Sequence, residues 1–245
     1  MPITKPFRRT YRPFLEGHRA EHQTDYIKDD RFAEEPRHYI QAFTIIGKDM
    51  LELFDYVEPA DCNKGCYSFR IHELHMRTCV EIEANCKAIL NENKYGKTSE
   101  LTMNDYNKID ATHRLSAYEV KFPVWRGKSN VRRPFLAWAS GNKLDWYQAY
   151  NAAKHDRHNE FEQANFENLL LAISGLIALL SSQFYNNDFG TVDYLVAEYG
   201  DQHGFIPAIG EYLLVKYPQW PDSYRYAFEW EKLKNDPEPF GTLQF

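Results

Sequence analysis

Asn168–Leu180, NLLLAISGLIALL, is the stretch on which the fold turns. Its apolar run, Leu169 to Leu180, is interrupted only by Ser174 and Gly175 and is too short to span a bilayer. It therefore predicts a buried core helix, with Gly175 allowing close contact to a neighbour. Upstream, Trp146, Tyr150, Ala153, Phe161 and Ala164 keep helical spacing with Leu171, Ala172, Leu176 and Leu179. The pattern predicts one helical element from near Leu144 to about Phe184.

Two earlier segments behave the same way. Pro36 stands where a first helical residue suits proline. After it Tyr39, Phe43, Ile46, Met50, Leu53, Phe54 and Val57 recur at steps of three and four, until Pro59, Asn63 and Gly65 break the pattern. A second helix is expected from about Tyr67 to Asn91, buried through Leu74, Cys79, Ile82, Cys86, Ile89 and Leu90. TMNDYNKID reads as a short helix. AYEVKFPVW alternates like a strand, placed at a sheet edge by Pro123, and pairs with RPFLAWA in a small hairpin. A last helix is expected around 206–217. The result is one mainly helical domain, with a polar arm over 1–35, a core over 36–185 holding an irregular or hairpin insert at 95–143, and an acidic extension over 186–245.

The net charge of −6 is unevenly spread. Residues 186–245 carry ten acids against four bases, while residues 1–185 balance at 25 each. Inside the insert, Val120 to Lys143 holds Lys121, Arg126, Lys128, Arg132, Arg133 and Lys143 and no acid. Lys5, Arg8, Arg9 and Arg12 form a second basic group. Both patches suit phosphates, and both equally suit solvated loops. The first residues carry charge but no following apolar core, so no secretory signal is expected and the cytoplasm is the default.

Chemistry concentrates in Tyr150–His158, YNAAKHDRH. On one continuous helix Asn151, Lys154, His155 and His158 share a face, and Arg157 lies beside it. An imidazole transfers protons near neutral pH, and Lys or Arg stabilises charge on phosphate oxygens. The same residues also suit the solvated end of a helix whose other half is buried. No metal or cofactor is expected. Cys62, Cys66, His72 and His75 follow C-x3-C-x5-H-x2-H, too short a connection for a zinc finger. HELH at 72–75 places its histidines three apart, where the zinc-hydrolase signature needs four. His155-Asp156 lacks the further ligands that helical phosphohydrolases of the HD type require.

RIHELHMRTCVEIEANCKAIL (70–90), followed after the insert by WYQAYNAAKHDR (146–157) and an apolar helix, resembles the HEPN superfamily. More narrowly, it is similar to uncharacterised bacterial and abortive-infection members whose final core helix opens with Asn-x-x-Lys-His. The resemblance covers about residues 36–185. It implies an all-α up-and-down bundle, a homodimer, and binding or metal-independent cleavage of RNA in defence or toxin systems. His155 would then move protons, Lys154 and Arg157 would stabilise phosphate charge, and Asn151, Lys154, His155 and Arg157 would line a cleft. Arg126, Lys128, Arg132 and Arg133 would guide the RNA or nucleotide. One departure stands out. The family's Arg, four to six residues before the histidine, is replaced by Gln148, Ala149 and Tyr150. Arg70 and His75 have the spacing on the earlier helix only. A non-catalytic interaction module, meeting a protein partner through its aromatic, acidic C-terminal region, is the alternative.

Overall fold

Two long helices set the frame. Helix α1 (Pro36–Phe54) opens on its proline, and α2 (Phe69–Glu92) is capped by Ser68, whose hydroxyl accepts from the Ile71 amide at 3.2 Å. The computed structural model describes residues 2–17, 24–97, 99–186 and 203–245. Two short helices follow, α3 (Met103–Tyr106) and α4 (Ile109–His113), and then strands β1 (Glu119–Lys121) and β2 (Val131–Arg132). Helix α5 (Asp145–His155), the single turn α6 (Arg157–Glu160) and α7 (Phe166–Phe184) complete the helical body. Strands β3 (Ile206–Pro207) and β4 (Leu214–Lys216) and helix α8 (Trp230–Leu233) lie in the C-terminal region.

Helix α7 is the central element. Sixteen of its 19 residues are buried, and it packs on α2, α5 and α1, while α1 also packs along α2. Gly175 faces Ile82, Phe135 and Trp146, and a Cβ there would meet all three at ordinary contact distances. Two of its three buried hydroxyls bond within the helix, Ser174 to the Leu170 carbonyl (2.7 Å) and Ser182 to that of Leu179 (2.8 Å). The helix extends beyond the apolar run at both ends. Its length and mean hydropathy of 1.4 would suffice to cross a membrane, yet 83% of that window is buried in the protein.

The expected forty-residue helix is divided. Asp156 ends α5 and caps α6, its carboxylate accepting from the Asn159 amide, and Asn165 caps α7 by accepting from Asn168 at 3.1 Å. Both residue types compete with helix interiors by bonding the backbone locally. His158 therefore does not continue the α5 face.

The sheet brings a second correction. Its order is β2-β1-β4-β3, all antiparallel, with Val120 opposite both Arg132 and Val215. β1 is thus an inner strand, because Pro123 falls beyond its last residue. The helix expected at 206–217 is instead the β3–β4 hairpin. Its turn is closed by the Glu211 amide on the Ala208 carbonyl (2.9 Å), with Gly210 at φ +79°. Apolar spacing in so short a segment suits either element, and pairing with β1 decides it.

The N-terminal arm is stitched into the body. Bridges join Ile3 and Phe14 to Tyr226, and Phe7 to Gly241. Phe14 and Tyr26 enter one core with the helices and with Tyr226, Phe228 and Phe240. Lys5 meets Asp236 at 2.8 Å and Arg8 meets Glu238 at 3.1 Å. Arg9 is fully buried. It pairs with Glu92, donates to Gln183 Oε1 (3.1 Å) and to the Glu34 carbonyl, and lies 4.7 Å from the Tyr39 ring centroid. Gln183 continues the network to Asn85 Oδ1 at 3.1 Å. The N-terminal basic group is therefore largely internal: Arg9 and Arg12 are buried, and Lys5 and Arg8 are paired to the tail.

Two buried histidines complete the polar core. His113 bridges the Thr112 hydroxyl (2.8 Å) and the Arg9 carbonyl (2.9 Å). His75 packs 6.3 Å from the Tyr150 ring, and a backbone group of Trp146 approaches it without reaching hydrogen-bond geometry. Burial holds both imidazoles down, from 6.5 to about 4.

Two predictions follow from this core. Arg9→Ala strands the Glu92 carboxylate and Gln183, and should cost about 3 kcal/mol in urea unfolding; a loss below 1 kcal/mol would show that the buried cation is dispensable. The histidines bind fewer protons folded than unfolded below pH 6.5. Stability should hold above that pH and decline between 6.5 and 4, by on the order of 2 kcal/mol per histidine at pH 4.5. His75→Phe should remove about half of the slope, and an unchanged slope would assign it elsewhere.

Candidate nucleic-acid interface

The C-terminal end of α5 presents Lys154 and His155 to solvent, where the helix dipole favours cations. Asn151 is half-buried. Lys154 donates to the Tyr150 hydroxyl at 3.1 Å and lies 5.0 Å from that ring, and the hydrogen bond raises its ammonium pKa. Tyr147, one turn earlier, donates to Glu83 of α2 at 2.9 Å. Lys154 is thereby held along α5 by Tyr150, while Tyr147 joins α5 to α2. His155 is exposed, and no described residue hydrogen-bonds its ring.

Arg157 lies just past the helix break. Its guanidinium sits 5.9 Å from the ring of Phe69, which is 68% exposed at the start of α2. Phe69 meets Phe161 at 4.9 Å, and Phe161 also contacts Tyr67 (5.8 Å) and His72 (5.4 Å). Tyr67 is 53% exposed. Four rings and a cation thus share one surface. Two large exposed rings, Tyr67 and Phe69, both resting on half-buried Phe161, are unusual on a surface that binds nothing.

The sequence did not point to Tyr67, Phe69 or Phe161. Buried positions of α2 run through Ile71, Leu74, His75, Thr78, Cys79 and Ile82, and Phe69 lies off that stripe, in line with exposed Glu73 and Val80. An aromatic on the polar face of an amphipathic helix is the available signal.

The four insert residues expected to guide RNA have four different fates. Arg132 is buried, pairs with Glu167 at 2.8 Å and lies over Trp125 (4.2 Å) and Phe122 (4.7 Å). It holds the hairpin to α7 and offers nothing to a phosphate, contrary to its expected role. Arg133 is tied to Glu119. Arg126 is exposed and meets Glu58 at 3.3 Å, a loose surface pair. Lys128 is exposed on the loop tip.

That loop is fastened to the platform end of the bundle by Asp61. Its carboxylate accepts from the Trp125 indole (2.9 Å) and from the amides of Lys128 (2.8 Å) and Ser129 (3.3 Å). These bonds, the indole first, hold its pKa down to about 2. The Arg126 amide and carbonyl bond the backbone at Pro59 and Asp61, while Phe166 and Glu167 donate to Cys66 and Lys64. Segment 58–69 thereby joins the basic loop to Phe69. Cys62 and Cys66 are exposed in it, whereas His75 is in the core, so the four residues of the zinc-like spacing are not gathered.

A concavity lies toward the other end of α2. It is a groove of about 570 Å³ lined by Glu34, Glu35, His38, Tyr39, Asn91 and Glu92, among others. Glu34 and Glu35 face it, Glu92 is taken up by Arg9, and Lys87 is its one ammonium, so it offers phosphate little net positive charge.

Gly127 tests the stitching. It takes φ +131°, and a Cβ there would stand 2.3 Å from Asp61 Oδ2. Gly127→Ala should cost about 1–3 kcal/mol, lowering Tm by roughly 2–10 °C; an unchanged Tm would mean that the Asp61 clasp is idle. No family model matches the chain, and no curated protein or solved structure matches it either.

Proposed function

We propose that the protein binds single-stranded RNA or a nucleotide through the surface formed by Tyr67, Phe69, Phe161 and Arg157. The observation that carries this reading is the exposed Phe69 ring, flanked by Phe161 and by the Arg157 guanidinium. Bases stack on such rings irrespective of sequence, and cations beside them hold the backbone. Lys154, Arg126 and Lys128, all exposed, supply further positive charge for phosphates. The packing of α1, α2, α5 and α7 supports a HEPN-like up-and-down bundle, and binding is the part of that family's repertoire best matched to these residues. A homodimer paired through the exposed rings is compatible with the same surface.

Cleavage is the weaker reading. A general base needs an orienting partner or a nearby nucleophile. His155 has no hydrogen-bonded neighbour among the described residues, and the family's preceding arginine is replaced by Gln148, Ala149 and Tyr150. The protein-partner reading through the acidic extension also loses support. The aromatics Tyr226, Phe228 and Phe240 are in the core, Asp236 and Glu238 pair with the arm, and residues 187–202 lie outside the described residues.

Fluorescence anisotropy with a labelled single-stranded RNA of about a dozen nucleotides tests the proposal. Loss of one stacked base should weaken binding by roughly 5–150-fold in Phe69→Ala, and Arg157→Ala should weaken it and flatten the salt dependence. Both variants should melt like wild type, since the side chains are exposed. Wild-type affinity in Phe69→Ala refutes the platform. A change in oligomeric state without RNA binding would reassign the rings to a protein contact. Intact RNA after incubation with wild type and with His155→Ala would separate binding from cleavage.

A further inference from the structure

Trp220 is buried in the C-terminal region, and three arginines converge on it. Arg225 is satisfied: its Nε donates to the Trp220 carbonyl at 2.9 Å and reaches Asp222 at 3.5 Å. Arg12 is only 4% exposed. Its guanidinium lies 4.7 Å from the Trp220 ring and 5.0 Å from that of Phe7. It donates to the Thr112 carbonyl at 2.9 Å and, weakly, to that of Tyr224 at 3.4 Å, while its Nε has no partner. Arg114 approaches the same ring at 5.6 Å, and its buried Nε is likewise without a partner. Neither arginine meets a carboxylate among the described residues.

The arrangement is electrostatically incomplete. A buried guanidinium is ordinarily matched by a carboxylate, as Arg9 is by Glu92 and Arg132 by Glu167 in this same protein. Here two cations share one aromatic wall, and the local acid, Asp222, serves Arg225. Arg114 is half-buried, so its donors remain reachable from solvent. It stands at the end of α4 with φ +55°, a left-handed position where an unbranched polar side chain is tolerated and glycine or asparagine is usual.

We propose that Arg114 and Arg12 form a binding site for a phosphate group, with Trp220 as its wall. Arg114 supplies a planar pair of donors suited to two phosphate oxygens, and Arg12, whose own Nε is sealed from solvent, adds its charge beside the same ring. A doubly charged tetrahedral oxyanion compensates both cations at once, which a single carboxylate does not. The residues come from the arm, from the end of α4 and from the C-terminal region. None belongs to the RNA-binding surface, and the proposal stands without it.

Isothermal titration of the full chain with inorganic phosphate, at ionic strength held constant with chloride, is the test. One saturable site per chain is expected, weakened at least ten-fold in Arg114→Asn. Asparagine accepts the left-handed backbone, so that variant should melt in chloride within a few degrees of wild type; Arg114→Gly, suited to the same backbone, is the second variant. A nucleoside monophosphate titrated in parallel into Phe69→Ala, where the aromatic surface no longer contributes, identifies the source. Tighter binding than inorganic phosphate assigns the site to a phosphorylated nucleoside, and equal binding to the free ion. Phe69→Ala should leave the phosphate isotherm unchanged. Absence of saturable binding by wild type, or equal affinity in both Arg114 variants, overturns the site.

Discussion

A full positive charge held out of reach of water ties this structure together. Arg9 enters from an irregular arm and finds Glu92 at the end of α2, Gln183 near the end of α7, the Glu34 carbonyl, and the ring of Tyr39 on α1. Each partner comes from a different segment. The charge is tolerated only when all of them are in place, so the arm, both long helices and the core helix must assemble together. The arm then delivers Phe14 and Tyr26 to the rings of Tyr226 and Phe228, with Phe14 4.8 Å from Phe228 and Tyr26 5.5 Å from it. This interlock converts a chain with a polar beginning and an acidic end into one continuous core.

With the body fixed, the platform end follows from two local decisions. Asp156 and Asn165 cap new helices instead of prolonging an old one, which turns Arg157 and Phe161 across toward α2. There they meet Phe69, the first residue after the Ser68 cap. The rings are held by one another and by the bonds of segment 58–69, while their outer faces stay open. A surface of this kind favours stacking and charge neutralisation over proton transfer, because its histidine is left without an orienting group.

Arginine has three destinations in this protein, and they differ only in environment. Arg9 and Arg132 are matched by carboxylates and serve the fold. Arg126 and Arg157 are exposed, the first loosely paired with Glu58 and the second resting against a ring. Arg12 and Arg114 lean on Trp220 with no carboxylate opposite. The first group resists replacement for stability, the second is positioned for ligands in solution, and the third carries charge that its surroundings leave uncompensated.

Helices α1 and α2 and the interior of α7 were legible in the linear chain, because apolar residues at steps of three and four bury one face whatever surrounds it. After Thr102 one short helix was legible where the structure has two, and alternation marked the strand at Val120 but not its inner place in the sheet. Other features were decided by partners far away in sequence. The segment 206–217 has a spacing that either a helix or a hairpin can use, and β1 chose the hairpin. Asp156 and Asn165 broke a continuous helical pattern that the apolar spacing alone could not interrupt. Arg132 and Arg133 are neighbours of one chemical type, yet one is enclosed by Glu167 and two rings while the other stays at the surface. Periodicity is a property of adjacent residues and is written in the sequence. Whether a ring or a charge ends in water, against a counter-charge, or alone depends on what tertiary packing sets beside it.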